Sequence, residues 1–138
     1  MSATVLVVED EPQIQELVAV NLEHSGHKVL RAASAEEAEA SIRKALPDVL
    51  VLDWMLPGES GLAFARRLRA DERTRTVPIV VISSSSHVDD IAACYRLGAN
   101  SYVCKRYSAA RAGEYLIDVV QYWVGLNRIP ESPGQEQK

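Results

Sequence analysis

Three unbroken apolar runs, Val5–Val8, Val49–Leu52 and Ile79–Ile82, contain only Val, Ile and Leu, and they most narrow what this chain can fold into. A strand with one face in water alternates apolar and polar residues. A continuous run reads instead as a strand covered on both faces, the pattern of a parallel sheet held between helices. Lys28–Ala32 and Ser101–Cys104 are weaker strand candidates, with Val29, Leu30, Tyr102 and Val103 carrying the propensity. Five helical stretches lie between and after these runs, at about 12–25, 35–45, 60–70, 88–97 and 108–126. In the first, Ile14, Leu17, Val18 and Leu22 recur at helical spacing. Pro12 suits a first helical turn, Ser34 with Glu37 reads as a capping box, and Gly26 and Gly98 suit left-handed helix ends.

The strand–helix alternation runs five times without an internal repeat, which implies an α/β, doubly wound, five-stranded parallel sheet with helices on both faces: three layers in all. With 138 residues the expectation is one domain, large enough for one substantial core. The polar segment from Pro130 onward is rich in breakers and reads as a frayed tail. Nineteen acidic against fifteen basic residues give a net charge of -4, so no broad basic field favours nucleic acid or anionic membrane. There is no apolar run long enough to span a bilayer, and no secretory leader pattern. Cys94 and Cys104 are too few for a disulfide framework, and a cytoplasmic location is expected.

Sheets of this kind bind ligands at the carboxyl ends of their strands. Just past the first strand stand Glu9, Asp10 and Glu11; past the third, Asp53; past the fourth, Ser83; past the fifth, Lys105. Any one of these acids alone reads as an ordinary helix cap. Together they bring carboxylates, a hydroxyl and an ammonium to one edge of the sheet. Crowded carboxylates suit a hard, oxygen-seeking cation such as Mg2+. A carboxylate can also attack phosphorus to give an aspartyl phosphate, with a metal and a lysine balancing the phosphoryl charge. The set is chemically coherent as a phosphorylation site.

On these residues the chain resembles a receiver domain of two-component response regulators. The resemblance rests on Val-Val-Glu-Asp-Glu at 7–11, Leu-Asp-Trp-Met-Leu-Pro-Gly at 52–58 with Gly61, Pro78, Gly-Ala-Asn-Ser-Tyr at 98–102, and Lys105, and it covers about residues 3–125. It implies a flavodoxin-like sheet of order 2-1-3-4-5 and a receiver domain over 1–126, followed by a tail at 127–138. It also implies roles. Asp53 would accept a phosphoryl group from a phosphohistidine of a sensor histidine kinase. Asp10, Asp53 and the Met55 carbonyl would ligate Mg2+, with Glu9 holding a metal-bound water. Ser83 and Lys105 would contact the phosphoryl group, and Tyr102 would turn inward as Ser83 moves.

Two positions depart from the family pattern. Arg106 follows Lys105 where receivers usually have a cis proline, and a cis bond without proline costs roughly 2.5–4 kcal/mol. Ser84 replaces a common alanine. Met55 and Ser85 occupy positions that tune dephosphorylation in the family. Through Pro78 the chain is similar to receivers of the phosphate-regulon transcription factor type. From Ser83 onward it is similar to single-domain regulators that serve bacterial phytochrome kinases. A natural mosaic and an engineered chimera would both give this split.

A chain ending soon after its fifth helix is expected to lack an output domain, and so to signal through a partner or by dimerising, with no direct DNA binding. Leu116, Val119, Val120 and Trp123 form a stripe that can face the sheet, while Tyr115, Tyr122 and Leu126 widen the apolar sector. That sector reads either as a broad core contact or tail-covered face, or as an exposed patch for a partner or second copy. The resemblance to phytochrome-partner regulators implies a homodimer through the fourth helix, fifth strand and fifth helix, and a phytochrome-type or similar hybrid kinase as a candidate partner.

Other readings compete. A phosphatase of the haloacid dehalogenase kind also uses an aspartyl phosphate and Mg2+, but needs a second aspartate two residues after the first, where Met55 stands. A degenerate, non-phosphorylated receiver stays open, although every acid is retained. A flavodoxin-like electron carrier lacks its phosphate loop here. Gly58 and Gly61 fit neither a Walker A loop nor a dinucleotide fingerprint. Arg66, Arg67, Arg69, Arg73 and Arg75 read as a solvated face, interrupted by Asp71 and Glu72. His24, His27 and His87 lack metal-ligand spacing and read as surface or helix-end residues, and the cysteines as small buried hydrophobes.

Overall fold

A computed structural model of the chain describes residues 3–83, 87–104 and 118–123. Its elements alternate in sequence: β1 (Thr4–Val8), α1 (Pro12–His24), β2 (Lys28–Ala32), α2 (Ala35–Lys44), β3 (Val49–Asp53), α3 (Gly61–Ala70), β4 (Ile79–Ser83), α4 (Val88–Arg96) and β5 (Ser101–Cys104). All four strand pairings are parallel, in the order β2-β1-β3-β4-β5. Residues 118–123 are helical; the rest of the predicted fifth helix, including Tyr115, Leu116 and Leu126, lies outside the described residues.

The central strands are apolar on both faces because each face has its own helical layer. Leu6, Val8, Leu50, Leu52, Ile79 and Val81 pack with Ala38 and Ile42 of α2 and Phe64, Ala65 and Leu68 of α3. The alternate residues Val5, Val7, Val49, Val51, Val80 and Ile82 pack with Val18 and Leu22 of α1 and with Val120. This period of two, with both faces covered, explains why Val5–Val8, Val49–Leu52 and Ile79–Ile82 are apolar throughout.

Local chemistry sets the boundaries. Pro12 is the first residue of α1, where its missing N–H is no loss. The Ser34 hydroxyl accepts the Glu37 N–H at 3.2 Å, and the Glu37 carboxylate reaches back to the Ala33 N–H at 3.0 Å. That is the predicted box, with its return bond one residue further back. Ser60 caps α3 in the same way through the Ala63 N–H at 3.1 Å. Gly26 and Gly98 take φ of 93° and 111°, as expected for left-handed helix ends.

Two readings from the sequence need correction. Arg69 is not part of a solvated face. Its guanidinium donates to the carbonyls of Gly98 at 2.8 Å, Arg75 at 2.9 Å and Val77 at 2.7 Å, and to Asn100 Oδ1 at 2.5 Å. Asn100 Oδ1 also accepts the Ile79 N–H at 2.7 Å, so one cluster ties α3 to the start of β4 and the loop before β5. Arg73 likewise donates to the Ile42 carbonyl at 2.8 Å, across from α2. A helical wheel places a residue on a face but does not show which loops fold over it.

His27 is the second correction: it is buried, not a surface group. Its Nδ1 accepts the Ala3 N–H at 3.2 Å, so the ring proton sits on Nε2, which has no hydrogen-bond partner. Burial lowers its pKa below the ordinary 6.5 by disfavouring the imidazolium. As pH falls below about 6.5 the unfolded chain takes the proton first, so this contribution to stability is complete above that pH and declines beneath it. Urea unfolding of the wild type should therefore show a midpoint that falls between about pH 8 and pH 5.5, and His27→Gln should flatten that slope. Equal slopes in the two proteins would exclude His27 as its source.

Candidate functional site

The parallel register brings the ends of β1 and β3 together. Val7 pairs with Val51 and Val8 with Leu52, so the next residues along are Glu9 and Asp53. This is also where the strand order reverses: β2 lies on one side of β1, and β3, β4 and β5 lie on the other. The reversal opens the crevice in which such sheets bind ligands.

Glu9, Asp10 and Asp53 each offer a carboxylate oxygen, all within 4.8 Å of one another. Glu9 is fully buried, Asp53 is buried at the end of its strand, and Asp10 is exposed at the mouth. Backbone donors orient two of them. Asp53 Oδ1 accepts the Met55 N–H at 3.2 Å, and Glu9 Oε2 accepts the Glu11 N–H at 3.2 Å. A set made only of carboxylate oxygens, two of them out of water, fits a hard divalent cation such as Mg2+ and does not suit softer metals. The acidic cluster is thus compatible with Mg2+ binding.

Ser83 is the last residue of β4, not the first beyond it, and is buried. Tyr102, on the neighbouring β5, is half-buried against the α2–α3 core. Trp54 is half-buried next to Asp53, while the Met55 side chain is 71% exposed at the rim. Lys105, Arg106, Ser84 and Ser85 lie outside the described residues.

The loop from Asp53 into α3 is held closely. The Gly61 N–H donates to the Trp54 carbonyl at 3.3 Å, and a Cβ on Gly61 would lie 2.2 Å from the Asp53 carbonyl oxygen. No real side chain tolerates that contact, so α3 approaches the Asp53 backbone only because Gly61 has none. Further along, Arg67 binds Glu59 through Nε and Nη2, both at 2.7 Å, and Glu39 of α2 through Nη1 at 2.5 Å. Its guanidinium holds the Glu59 carboxyl below the usual carboxylate range. The pairs are exposed and contribute little energy, but they tie the loop before α3 to α2.

The residue pattern pointed to Glu9, Asp10, Asp53 and Ser83 from their place at strand ends, and the structure brings the three acids together. The pattern missed Gln15, whose amide donates to the Glu9 carbonyl at 2.9 Å and the Ala32 carbonyl at 3.1 Å. Nothing in the local pattern distinguishes this residue from an ordinary polar helix position. Cys94 is buried as expected, and its thiol is pushed up to about 12, chiefly by burial, which keeps it protonated and inert.

Fold and site together define a class: a flavodoxin-like doubly wound domain with a carboxylate cluster at its switch point. Within that class, the chain belongs to the response regulator receiver domain family, whose profile matches residues 5–116. It is similar to the phosphate regulon transcriptional regulatory protein PhoB of Pseudomonas aeruginosa, 41% identical over 105 residues, or 76% of this chain and 46% of that protein. The chain spans about half the length of the curated relatives it matches. Among solved structures it is similar to the phosphorylated cyanobacterial phytochrome response regulator RcpA, with a TM-score of 0.86 and 25% identity, covering 95% of this chain and 100% of that one. The receiver domain of the sensor histidine kinase PA1611 from Pseudomonas aeruginosa, solved with a magnesium ion in its active site cleft, has a TM-score of 0.78 and 29% identity over 91% of this chain and 99% of its own. No described helix is long and apolar enough to cross a membrane.

Replacing Gly61 by Ala should force α3 and the Asp53 carbonyl apart, destabilising the fold by about 1–3 kcal/mol. Urea unfolding measures the loss; a midpoint equal to wild type would show that the close approach is dispensable.

Proposed function

We propose that the chain is a phosphoacceptor switch, in which Asp53 takes a phosphoryl group from the phosphohistidine of a sensor histidine kinase. The observation that carries this reading is the meeting of Glu9, Asp10 and Asp53 within 4.8 Å at the ends of two adjacent parallel strands. In the transfer, an Asp53 carboxylate oxygen bonds to phosphorus as the phosphorus–nitrogen bond breaks, and the imidazole departs with the electron pair. The Met55 N–H binds Asp53 Oδ1 and so helps orient the carboxylate that would act as the nucleophile. Asp10, Asp53 and the Met55 carbonyl would hold Mg2+ directly, with Glu9 behind them. That ion supplies charge neutralisation for the carboxylates and the incoming phosphoryl group. Ser83 would donate its hydroxyl to a phosphoryl oxygen, and Lys105, the next residue in sequence after β5, would complete the charge balance.

The rest of the reading follows from the same positions. The receiver unit takes in 1–126, and 127–138 forms a tail. When Ser83 moves toward the phosphate, Tyr102 turns inward and alters the face made by α4, β5 and the fifth helix. Tyr95 and Tyr122 are about half exposed on the two helices of that face, which supports a partner or a second copy docking there rather than DNA. The likeness to RcpA supports a phytochrome-type kinase as the phosphoryl source. A phosphatase of the haloacid dehalogenase kind is disfavoured, because Met55 stands where its acid would be.

In a Trp123→Phe background, Trp54 is the only tryptophan, and Mg2+ with a small phosphodonor or beryllofluoride should change its fluorescence. Asp53→Asn should abolish the phosphodonor response; an unchanged response would remove Asp53 as the acceptor. Sedimentation with beryllofluoride should show a dimer that the untreated protein forms more weakly. A protein that stays monomeric at high concentration in both conditions would remove self-association from the reading.

A further inference from the structure

Glu9 and Asp10 follow the last paired residue of β1, so the ladder to β3, which ends at Val8 and Leu52, does not hold them. The Glu9 backbone is bonded on the other side. The Glu9 N–H donates to the Ala32 carbonyl of β2 at 3.0 Å. The Glu9 carbonyl accepts the Gln15 amide at 2.9 Å, and the same amide donates to Ala32 at 3.1 Å. Gln15 lies half-buried in the first turn of α1, whose start is set by Pro12 and the Gln15 N–H bond to the Glu11 carbonyl at 2.9 Å.

The Glu9 carbonyl belongs to the peptide plane that leads into Asp10. Fixing that plane fixes where the Asp10 Cα stands, and thus where its carboxylate can reach. Like charges at this spacing push one another apart, and the exposed Asp10 is the member with room to withdraw. A neutral amide restrains the plane without adding a cation to a cluster whose charge a metal is to balance.

We propose that Gln15 is a positioning residue for the metal site: it presets the Glu9–Asp10 peptide so that both carboxylates already face Asp53 before a metal arrives. The proposal rests on the metal reading of the acidic cluster. Outer groups that orient ligands typically change metal affinity by about 10–100-fold when removed.

The test titrates Mg2+ against Trp54 fluorescence in the full chain, in the Trp123→Phe background, without urea. Gln15→Met keeps the length of the side chain and removes its N–H donors. It should weaken Mg2+ binding by about tenfold. A merely structural role would shift the urea midpoint and leave Mg2+ affinity unchanged, and that result overturns the proposal. Asp10→Asn separates the two levels. If it loses Mg2+ affinity and Gln15→Met does not, the positioning role alone fails. If Asp10→Asn binds as wild type, the metal reading fails with it.

Discussion

Burial of Glu9 and Asp53 beside one another at the ends of adjacent parallel strands is the constraint on which the rest of this molecule turns. Two carboxylates taken out of water repel each other and lose hydration, an expensive arrangement unless hydrogen bonds and a counter-charge offset it. The backbone supplies the first of these through the Met55 and Glu11 N–H groups. A divalent cation is the natural source of the second. The parallel sheet makes this concentration possible: with both faces consumed by apolar packing, polar chemistry is confined to the strand ends, and parallel strands put all those ends on one side.

Helix α3 links that edge to the opposite side of the sheet. At its start, Gly61 rests against the Asp53 backbone. At its end, Arg69 holds the Gly98 carbonyl and Asn100, which lead directly into β5 and Tyr102. Gly98 serves this arrangement twice, through its positive φ and because a Cβ there would lie 2.4 Å from the Arg69 side chain. One ten-residue helix thereby touches the end of β3 and the loop feeding the strand that bears the candidate switch residue.

Much of this was legible in the residues alone. Unbroken runs such as Val49–Leu52 identified strands covered on both faces, and all five strand positions appear within a residue of expectation. The acids were legible for the same reason: where an apolar run stops at Glu9 or Asp53, the strand has reached its chemical end. Arg69, His27 and Gln15 were not legible. Each makes bonds to backbone carbonyls or amides, as Arg69 does to Gly98 and His27 to Ala3, across 24 or more positions, or, in the case of Gln15, to both Glu9 and Ala32. Backbone groups carry no sequence signature, so such partners emerge only when the chain has folded.

The opening runs therefore determined the architecture, because hydrophobic periodicity acts locally and every strand declares its own environment. Which groups actually meet was decided by tertiary structure. Register set Glu9 opposite Asp53, a missing Cβ admitted α3 to the strand that ends at Asp53, and the first turn of α1 placed an amide over the Glu9 carbonyl. These are matters of tenths of an ångström between groups that meet only in the folded chain. Only packing, with strands and helices pressed into one solid interior, fixes distances of that kind.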